Sequence, residues 1–394
     1  MTRTELVNPL DPAVKADPYP IYAHLRASAP VHPITMPDGS RTWLITRYDD
    51  ADQALRDPRL LKARRLLDFS DEMMPLVRHM LNADPPDHTR LRTLVHKAFA
   101  PRLVSGLRPR IQHIADELLD AVAPAEAMDL ISDYAFPLPI IVITELLGVP
   151  SADRDRFREW SNIFISNAHS QTELSSARAA MIAFIGYLRA LLEDRRAHPR
   201  NDLISALAAA EEQGDALSED ELLSMIFLLI VAGHETTVNL IGNGMLALLT
   251  HPDQLRGLIE DPSLLPSAVE ELLRYDGPVE TSTLRFASAD VELNGVTIPE
   301  GDRVLVILAS ANRDEGRFAG ADQLDITRAN NRHLAFGKGI HFCLGAPLAR
   351  LEGQIAIGTL LRRLPALRPA IPLDQIEWRP GMLIRGLRSF PVAF

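Results

Sequence analysis

Residues 218–250 constrain the fold of this chain more than any other stretch. Apolar side chains recur there at helical spacing almost without a break. Ser218 with Glu221 matches a capping box, in which the serine accepts from a first-turn N–H and the glutamate reaches back. His251-Pro252 stops the pattern. At about 1.5 Å per residue such a helix exceeds roughly 40 Å, enough to cross a whole domain, so the other elements must be arranged around it. It is apolar nearly all round at its middle, which predicts burial. Its most apolar part, residues 222–233, is broken by Ser224 and falls short of the ~18 residues that span a bilayer. A buried core helix is therefore expected. Its centre, however, reads Ala232-Gly233-His234-Glu235-Thr236-Thr237. Glycine and paired threonines cost helix propensity, and a buried glutamate is expensive unless paired or hydrated. The bland reading is that both threonines bond back to the preceding turn; the alternative is a functional interruption.

Helical spacing also marks residues 19–28, 49–56, 87–98, 105–122, 138–147, 153–168, 174–197, 201–213 and 347–362. Ser267 with Glu270 predicts a second capping box, starting the helix that carries Glu271 and Arg274. Strand-like pieces fall at 41–46, 283–287, 291–293, 296–298 and 303–309, with hairpin-type turn signals at Asn294-Gly295 and Glu300-Gly301. Residues 58–86 read as irregular, and loops of that length are often functional. The fold class expected is mainly α with a small β region. With no linker, repeat or shift in composition along the 394 residues, a single domain over 1–394 is expected.

Charge and cysteine usage narrow the function. With 41 basic against 52 acidic residues the net charge is −11, a poor basis for nucleic-acid binding. The first twenty residues mix prolines with charges and contain no apolar run, so neither a signal peptide nor a membrane anchor is expected, and the location expected is cytoplasmic. The single cysteine cannot form an internal disulfide. It lies in Phe336-Gly337-Lys338-Gly339-Ile340-His341-Phe342-Cys343-Leu344-Gly345, whose glycines let the backbone turn tightly and approach a ligand. A helix begins just after it, and helix N-termini favour a thiolate. On spacing alone, Cys343 is equally an inert buried side chain.

The segment resembles the haem-binding loop of the cytochrome P450 family, Phe-Gly-x-Gly-x-His-x-Cys-x-Gly, at every defined position. The resemblance implies that Cys343 is the metal ligand, an axial thiolate on the iron of haem b. Phe336 would pack beside the sulfur, and the backbone around Gly337 and Gly345 would donate hydrogen bonds that tune it. The centre of the long helix resembles the family's Ala-Gly-x-(Asp/Glu)-Thr motif. Ala232 and Gly233 would then lie beside the haem, Thr236 would hydrogen-bond O2, and Glu235 would relay protons. Glu271 and Arg274, three apart, resemble Glu-x-x-Arg, and the family implies a buried network completed by Arg328. Read blandly, that pair is a weak surface ion pair. His88 and Arg92, four apart on one helix face, resemble His-x-x-x-Arg and would hold a propionate, as would Arg285 and His341. Alone, His88 and Arg92 would read as a solvated face. Glu315 stands where the family commonly has proline. Val238 excludes a His-Glu-x-x-His zinc site and Arg332 excludes a P-loop.

The resemblance spans Pro9 to Phe394 and implies a monooxygenase that inserts one atom of O2 into a C–H bond of a sizeable apolar molecule. The long helix most resembles bacterial members acting on macrolide and polyketide-type metabolites. Leu66, Met73, Val231, Val279 and Leu383 would line the pocket, with Glu280 and Arg64 orienting a polar group. No reductase motif is fused, so a separate ferredoxin and ferredoxin reductase would supply electrons, docking on Arg90, Lys97, Arg102, Lys338 and Arg350. A monomer is expected. A peroxide-driven enzyme of the same fold and a non-catalytic haem sensor are the alternatives; the Glu235-Thr236 pair, which neither requires, weighs against both.

Overall fold

The long helix spans Glu219–Thr250. Its capping box closes reciprocally: Ser218 N donates to Glu221 Oε2 at 2.8 Å, and Glu221 N donates to Ser218 Oγ at 3.3 Å. The computed structural model describes residues 14–36, 38–64, 74–99, 101–153, 156, 157, 159, 160, 171–212 and 214–394. These fall into two compact units, one formed by Met1–Lys62, Ala115–Ala135 and Thr236–Phe394, the other by Ala63–Ile114 and Phe136–Glu235. The partition crosses the long helix between Glu235 and Thr236.

The first unit holds most of the β structure, the short ladder Glu211–Glu212 with Asp215–Ala216 lying in the second. Arg41–Ile45 pairs antiparallel with the edge strand Val31–Thr35 and parallel with Arg303–Val306. Arg303–Val306 continues antiparallel to Arg285–Ala287, which pairs with Leu60–Leu61. Trp43, Ile45, Val304, Val306 and Phe318 form the core under this sheet. Val31–Thr35 escaped the sequence pattern because Pro33 argues against a strand; proline is tolerated at a sheet edge, where this strand lies. Val291–Leu293 and Val296–Ile298 form a hairpin whose Asn294 and Gly295 both have positive φ, 50° and 73°, as a type I′ turn requires. Glu300-Gly301 is also a turn, with Asp302 N donating to Pro299 O at 3.2 Å, but it joins that hairpin to the larger sheet and is no hairpin itself. A three-stranded sheet gathers Arg368–Pro369, Pro391–Ala393 and Ala127–Asp129.

The helices Tyr19–Ser28, Tyr48–Arg56, Leu265–Asp276 and Ala346–Arg363 pack in the same unit. Ser267 does not cap its helix. The helix starts two residues earlier at Leu265, with Pro266 in its first turn, where a missing N–H is harmless. Ser267 Oγ instead donates to Leu264 O at 2.8 Å.

The second unit is helical, with Asp87–Ala98, Pro137–Leu147, Gln171–Ala197 and Leu203–Ala208. Phe157, Trp160, Phe184 and Tyr187 build its aromatic core, with ring centroids 5.2–5.7 Å apart. The last of these helices is shorter than the spacing over 201–213 predicted, because Asp202 caps it through Ser205 N at 2.8 Å and strand geometry resumes at Glu211. Most of the helix expected over 153–168 lies outside the described residues. Two segments, Leu130–Leu147 and Glu219–Thr250, are long and apolar enough to cross a membrane; being 72% and 56% buried within the fold, they read as core helices.

Candidate active site

The backbone of the cysteine loop is built by left-handed glycines. Gly337 and Gly339 have φ of 69° and 70°, where a side chain is strained, and the loop folds back so that Cys343 N donates to Phe336 O at 2.9 Å. At Gly339 a Cβ would sit 3.0 Å from Leu55 O, so the loop also presses on the helix Tyr48–Arg56. Cys343 is exposed, three residues ahead of the helix Ala346–Arg363, whose positive end favours a thiolate.

Charged and aromatic side chains brace the loop. The Arg350 guanidinium lies 4.5 Å over the Phe336 ring and makes two bonds to Glu270, at 2.6 and 2.8 Å. His333 Nε2 reaches Glu270 Oε2 at 3.1 Å. Burial opposes ionisation of Glu270, but the bonds from Arg350 and His333 outweigh it and hold the carboxyl down at about 2. Arg350 is raised first by its bond to Glu270, against burial, and the Cys343 charge adds to it. A guanidinium near enough to feel the sulfur favours the thiolate form.

Just ahead of the loop, Glu271 and Arg274 are both fully buried and meet in a bidentate pair at 2.7 and 2.8 Å. Arg274 also donates to Asn312 O, Ala321 O and Gln323 O, at 2.9, 2.7 and 2.9 Å. Glu271 accepts further bonds from Asp325 N, Arg328 Nε and Asn331 Nδ2. Arg274 Nε, Nη1 and Nη2 and both Glu271 oxygens are engaged, the condition under which a buried ion pair is tolerated.

The long helix is not buried all round. Leu229, Ala232, Gly233 and Thr236 share one face and are exposed or half-buried, whereas Ile226, Ile230, His234 and Thr237 are buried. At Gly233 a Cβ would meet only Ile143, at 3.6 Å, an ordinary contact. Protein packing therefore does not demand glycine, although glycine costs roughly 1 kcal/mol in a helix. A glycine with no protein reason, beside a threonine on an open face, suits the close approach of a large flat group. Glu235, expected to be a buried charge, is half-buried; the helix face it occupies is not closed off.

The buried carboxyl is Glu352 instead, which the motif reading missed. It is 1% exposed on Ala346–Arg363 and accepts from Thr237 Oγ1 at 3.0 Å. Burial pushes it up to about 8, against the Thr237 bond. The signal available in sequence is a lone glutamate among Leu348, Leu351, Ile355 and Ala356 on an apolar helix face.

The cytochrome P450 family model matches residues 154–369. The chain belongs to the cytochrome P450 family. It is 50% identical to the vitamin D(3) 25-hydroxylase of Pseudonocardia autotrophica, over 95% of this chain and 93% of that one. It is 44% identical to the polyketide biosynthesis cytochrome P450 PksS of Bacillus subtilis, over 96% of each chain, and the solved PksS structure superposes with a TM-score of 0.93, covering 98% and 99%. The myxobacterial P450 CYP267B1, solved in complex with myristic acid, is 50% identical with a TM-score of 0.92, each chain covered to 98%. Cytochromes P450 carry haem b and use O2 as co-substrate, and this chain is a P450 monooxygenase. Bacterial P450s take electrons from ferredoxin systems and bind apolar substrates.

Against that identity the remaining sequence candidates divide. His88 is buried on Asp87–Ala98, with Arg92 half-buried one turn on. Arg285 is buried in its strand with Nη1 3.4 Å from Leu60 O, and His341 is half-buried. Glu280 is not available to orient a substrate group: it is 2% exposed, Oε1 accepts the Tyr22 hydroxyl at 2.5 Å and Oε2 pairs with Lys15. Val231 and Val279 are half-buried and Leu383 is exposed, while Leu66 and Met73 lie outside the described residues. The basic docking set is depleted, since Arg90 pairs with Glu221 and Asp215 and Arg350 with Glu270. Arg102's side chain lies outside the described residues, Lys97 is exposed, and Lys338 lies 3.9 Å from Asp52.

Proposed function

We propose that this P450 hydroxylates an unactivated C–H bond of a sizeable apolar molecule, of polyketide, macrolide or fatty-acyl type, with electrons from a separate ferredoxin and its reductase. The observation that carries the reading is the Thr237–Glu352 bond. It ties the buried Thr237, next to Thr236 on the open face of the long helix, to the helix that begins behind Cys343. Haem b, bound through the Cys343 thiolate, supplies O2 reduction and C–H oxidation. Phe336 and the turns at Gly337 and Gly345 shape the thiolate's surroundings. His88, Arg92, Arg285 and His341 are the cations suited to its propionates. Ala232 and Gly233 give it room against the long helix. Thr236 Oγ1 would hold a proton on the face where the haem binds, and Glu235, half-exposed, would bring protons in from solvent. The names of the relatives support an apolar substrate but not one in particular, since one fold hosts many. We place the protein in the cytoplasm as a single-domain monomer that binds no nucleic acid.

The test is the spectrum of the reduced, CO-treated protein, wild type against Cys343→Ser. A strongly red-shifted Soret band lost in the variant is expected; an imidazole-like band in the wild type overturns the reading. Product formed with a ferredoxin system and O2, but not with peroxide alone, separates the monooxygenase from a peroxide-driven enzyme and from a sensor.

A further inference from the structure

Outside the haem-binding machinery, one polar cluster in the first unit centres on Lys15 and the turn Gly381–Ile384. The Lys15 ammonium uses all three of its donors: it pairs with Glu280 Oε2 and donates to Gly381 O at 2.7 Å and Ile384 O at 3.0 Å. Its side chain is 11% exposed, so little water competes. The strip on the other side of that ammonium is Val279–Glu280, bridged to the turn through Val279 and Ile384, with Glu280 N donating to Leu383 O at 3.0 Å. Tyr22, from the helix Tyr19–Ser28, closes on Glu280 Oε1.

A second set of contacts fastens the same chain ends. Arg385 donates to Lys15 O at 2.6 Å, to Ala16 O at 3.1 Å and to Asp276 Oδ1 at 2.6 Å. Tyr19 OH reaches the same Asp276 oxygen at 2.5 Å. Guanidinium and aromatic groups alternate here: Arg313 lies 3.8 Å from the ring centroids of both Tyr275 and Tyr19, and Arg385 lies 3.6 Å from that of Trp378. Those contacts fix the base of the turn. Among the described residues, Lys15 is the side chain that donates to the carbonyls of the tip, beside the backbone bridge from Val279–Glu280; there Gly381 has φ of 101° and Leu383 is 41% exposed.

We infer that Lys15 is a positioning residue for substrate selection, clamping the turn Gly381–Ile384 against Val279–Glu280 so that Leu383 and Val279 present one fixed apolar wall to the substrate. The inference rests on the proposed P450 function, with Val279 and Leu383 lining the pocket as the family resemblance implies. Removing the ammonium leaves two carbonyls and a buried carboxylate without their shared donor, while Arg385, Asp276 and Tyr19 keep the chain ends in place. The turn is then free to move without loss of the fold.

Lys15→Met in the holoenzyme tests this, with Glu280→Gln as the second variant should the first not fold. Imidazole and 1-dodecylimidazole are titrated by the Soret shift, since the first reports the iron alone and the second also the apolar wall. Amide exchange is followed over 279–284 and 381–386. The expected result is an unchanged imidazole Kd, a dodecyl preference reduced about fivefold, and exchange at least threefold faster in both segments. An unchanged dodecyl preference overturns the inference whether or not exchange rises, because a rise alone marks a merely structural tie. Failure of wild-type protein to bind imidazole with a Soret shift is a different failure, that of the haem-thiolate reading, and the exchange measurement still reports whether Lys15 holds the turn.

Discussion

Glu352→Gln isolates the energetic consequence of burying a carboxyl between two helices. Glu352 is 1% exposed, with Thr237 Oγ1 as its hydrogen-bond donor at 3.0 Å, and burial raises its pKa from an ordinary 4.5 to about 8. Below pH 4.5 the folded and unfolded chains both hold the proton. Between 4.5 and 8 the folded chain holds it and the unfolded chain has lost it, so stability falls as pH rises through that window. Above 8 neither holds it and the loss is complete. Each tenfold change in acidity is worth about 1.36 kcal/mol, so this rise sets a ceiling of about 5 kcal/mol. Water entry and relaxation around the charged form bring the measurable loss to ~2–4 kcal/mol. Glutamine keeps the size and a bond to Thr237 but cannot ionise. Denaturant unfolding of both proteins at pH 5, 7 and 9 is the assay, and taking the difference cancels every other titrating group. The variant is expected to gain on the wild type by ~2–4 kcal/mol at pH 9 relative to pH 5. Two stability profiles that run parallel across this range would show that Glu352 is ionised in the fold, and the argument from burial would fail.

Other perturbations follow from the same geometry. Arg274→Ala leaves Glu271 buried with only part of its cationic partnership and takes their donor from the carbonyls of Asn312 and Ala321, Gln323 O keeping Arg328; a loss of about 3–5 kcal/mol in denaturant unfolding is expected. A loss under about 1 kcal/mol would mean that Arg328 alone can hold the network. Gly386→Ala would place a Cβ 1.9 Å from the fully buried Asn239 Oδ1, costing about 1–3 kcal/mol, and Asn239→Ala in the same chain should recover most of it. Strict additivity in that double-mutant cycle would refute the steric account. Thr236→Ala is expected to consume O2 and reductant at a similar rate while releasing peroxide in place of product; unchanged coupling, read as product per NAD(P)H oxidised, would remove Thr236 from its assigned role.

Much of this protein is legible where one residue type has one physical use. The capping box at Ser218 and Glu221 closes as its spacing requires, because both groups lie within one helical turn and the distant Arg90 takes only the other carboxylate oxygen, Glu221 Oε1. Asn294-Gly295 makes its hairpin for the same local reason. The matching box at Ser267 and Glu270 fails because the helix already starts at Leu265 and both oxygens of its glutamate are claimed, from 63 and 80 residues away, by His333 and Arg350. Tertiary partners took the side chain that the local rule needed. Glu280 misleads in the same manner, as Lys15 lies 265 residues off in sequence. Glu235 and Glu352 show the opposite limit. Both stand in apolar helices, and composition alone cannot say which one faces inward.

The anchoring of the first unit differs between the thiolate and the proposed substrate wall, and the difference bears on how such a fold changes its substrate. Adjacent glutamates on Leu265–Asp276 hold the chain that leads to Cys343. Glu271 takes the segment through Asp325, Arg328 and Asn331, and Glu270 takes His333 and, beyond the cysteine, Arg350. Glu352 then fixes the following helix to Thr237. Three carboxyl groups therefore position one thiolate, and no single exposed contact carries the loop, the redundancy that a preorganised site requires. The tip of the turn that bears Leu383 has instead one short backbone bridge to Val279–Glu280 and one ammonium that holds two carbonyls and a carboxylate. A change at Lys15 or within Gly381–Ile384 can thus redraw the wall while the thiolate's supports are left intact. Relatives about 50% identical that carry names as different as a vitamin D(3) 25-hydroxylase and a myristic acid complex are what such an arrangement allows. Specificity can drift at the weakly anchored turn because the chemistry is secured elsewhere.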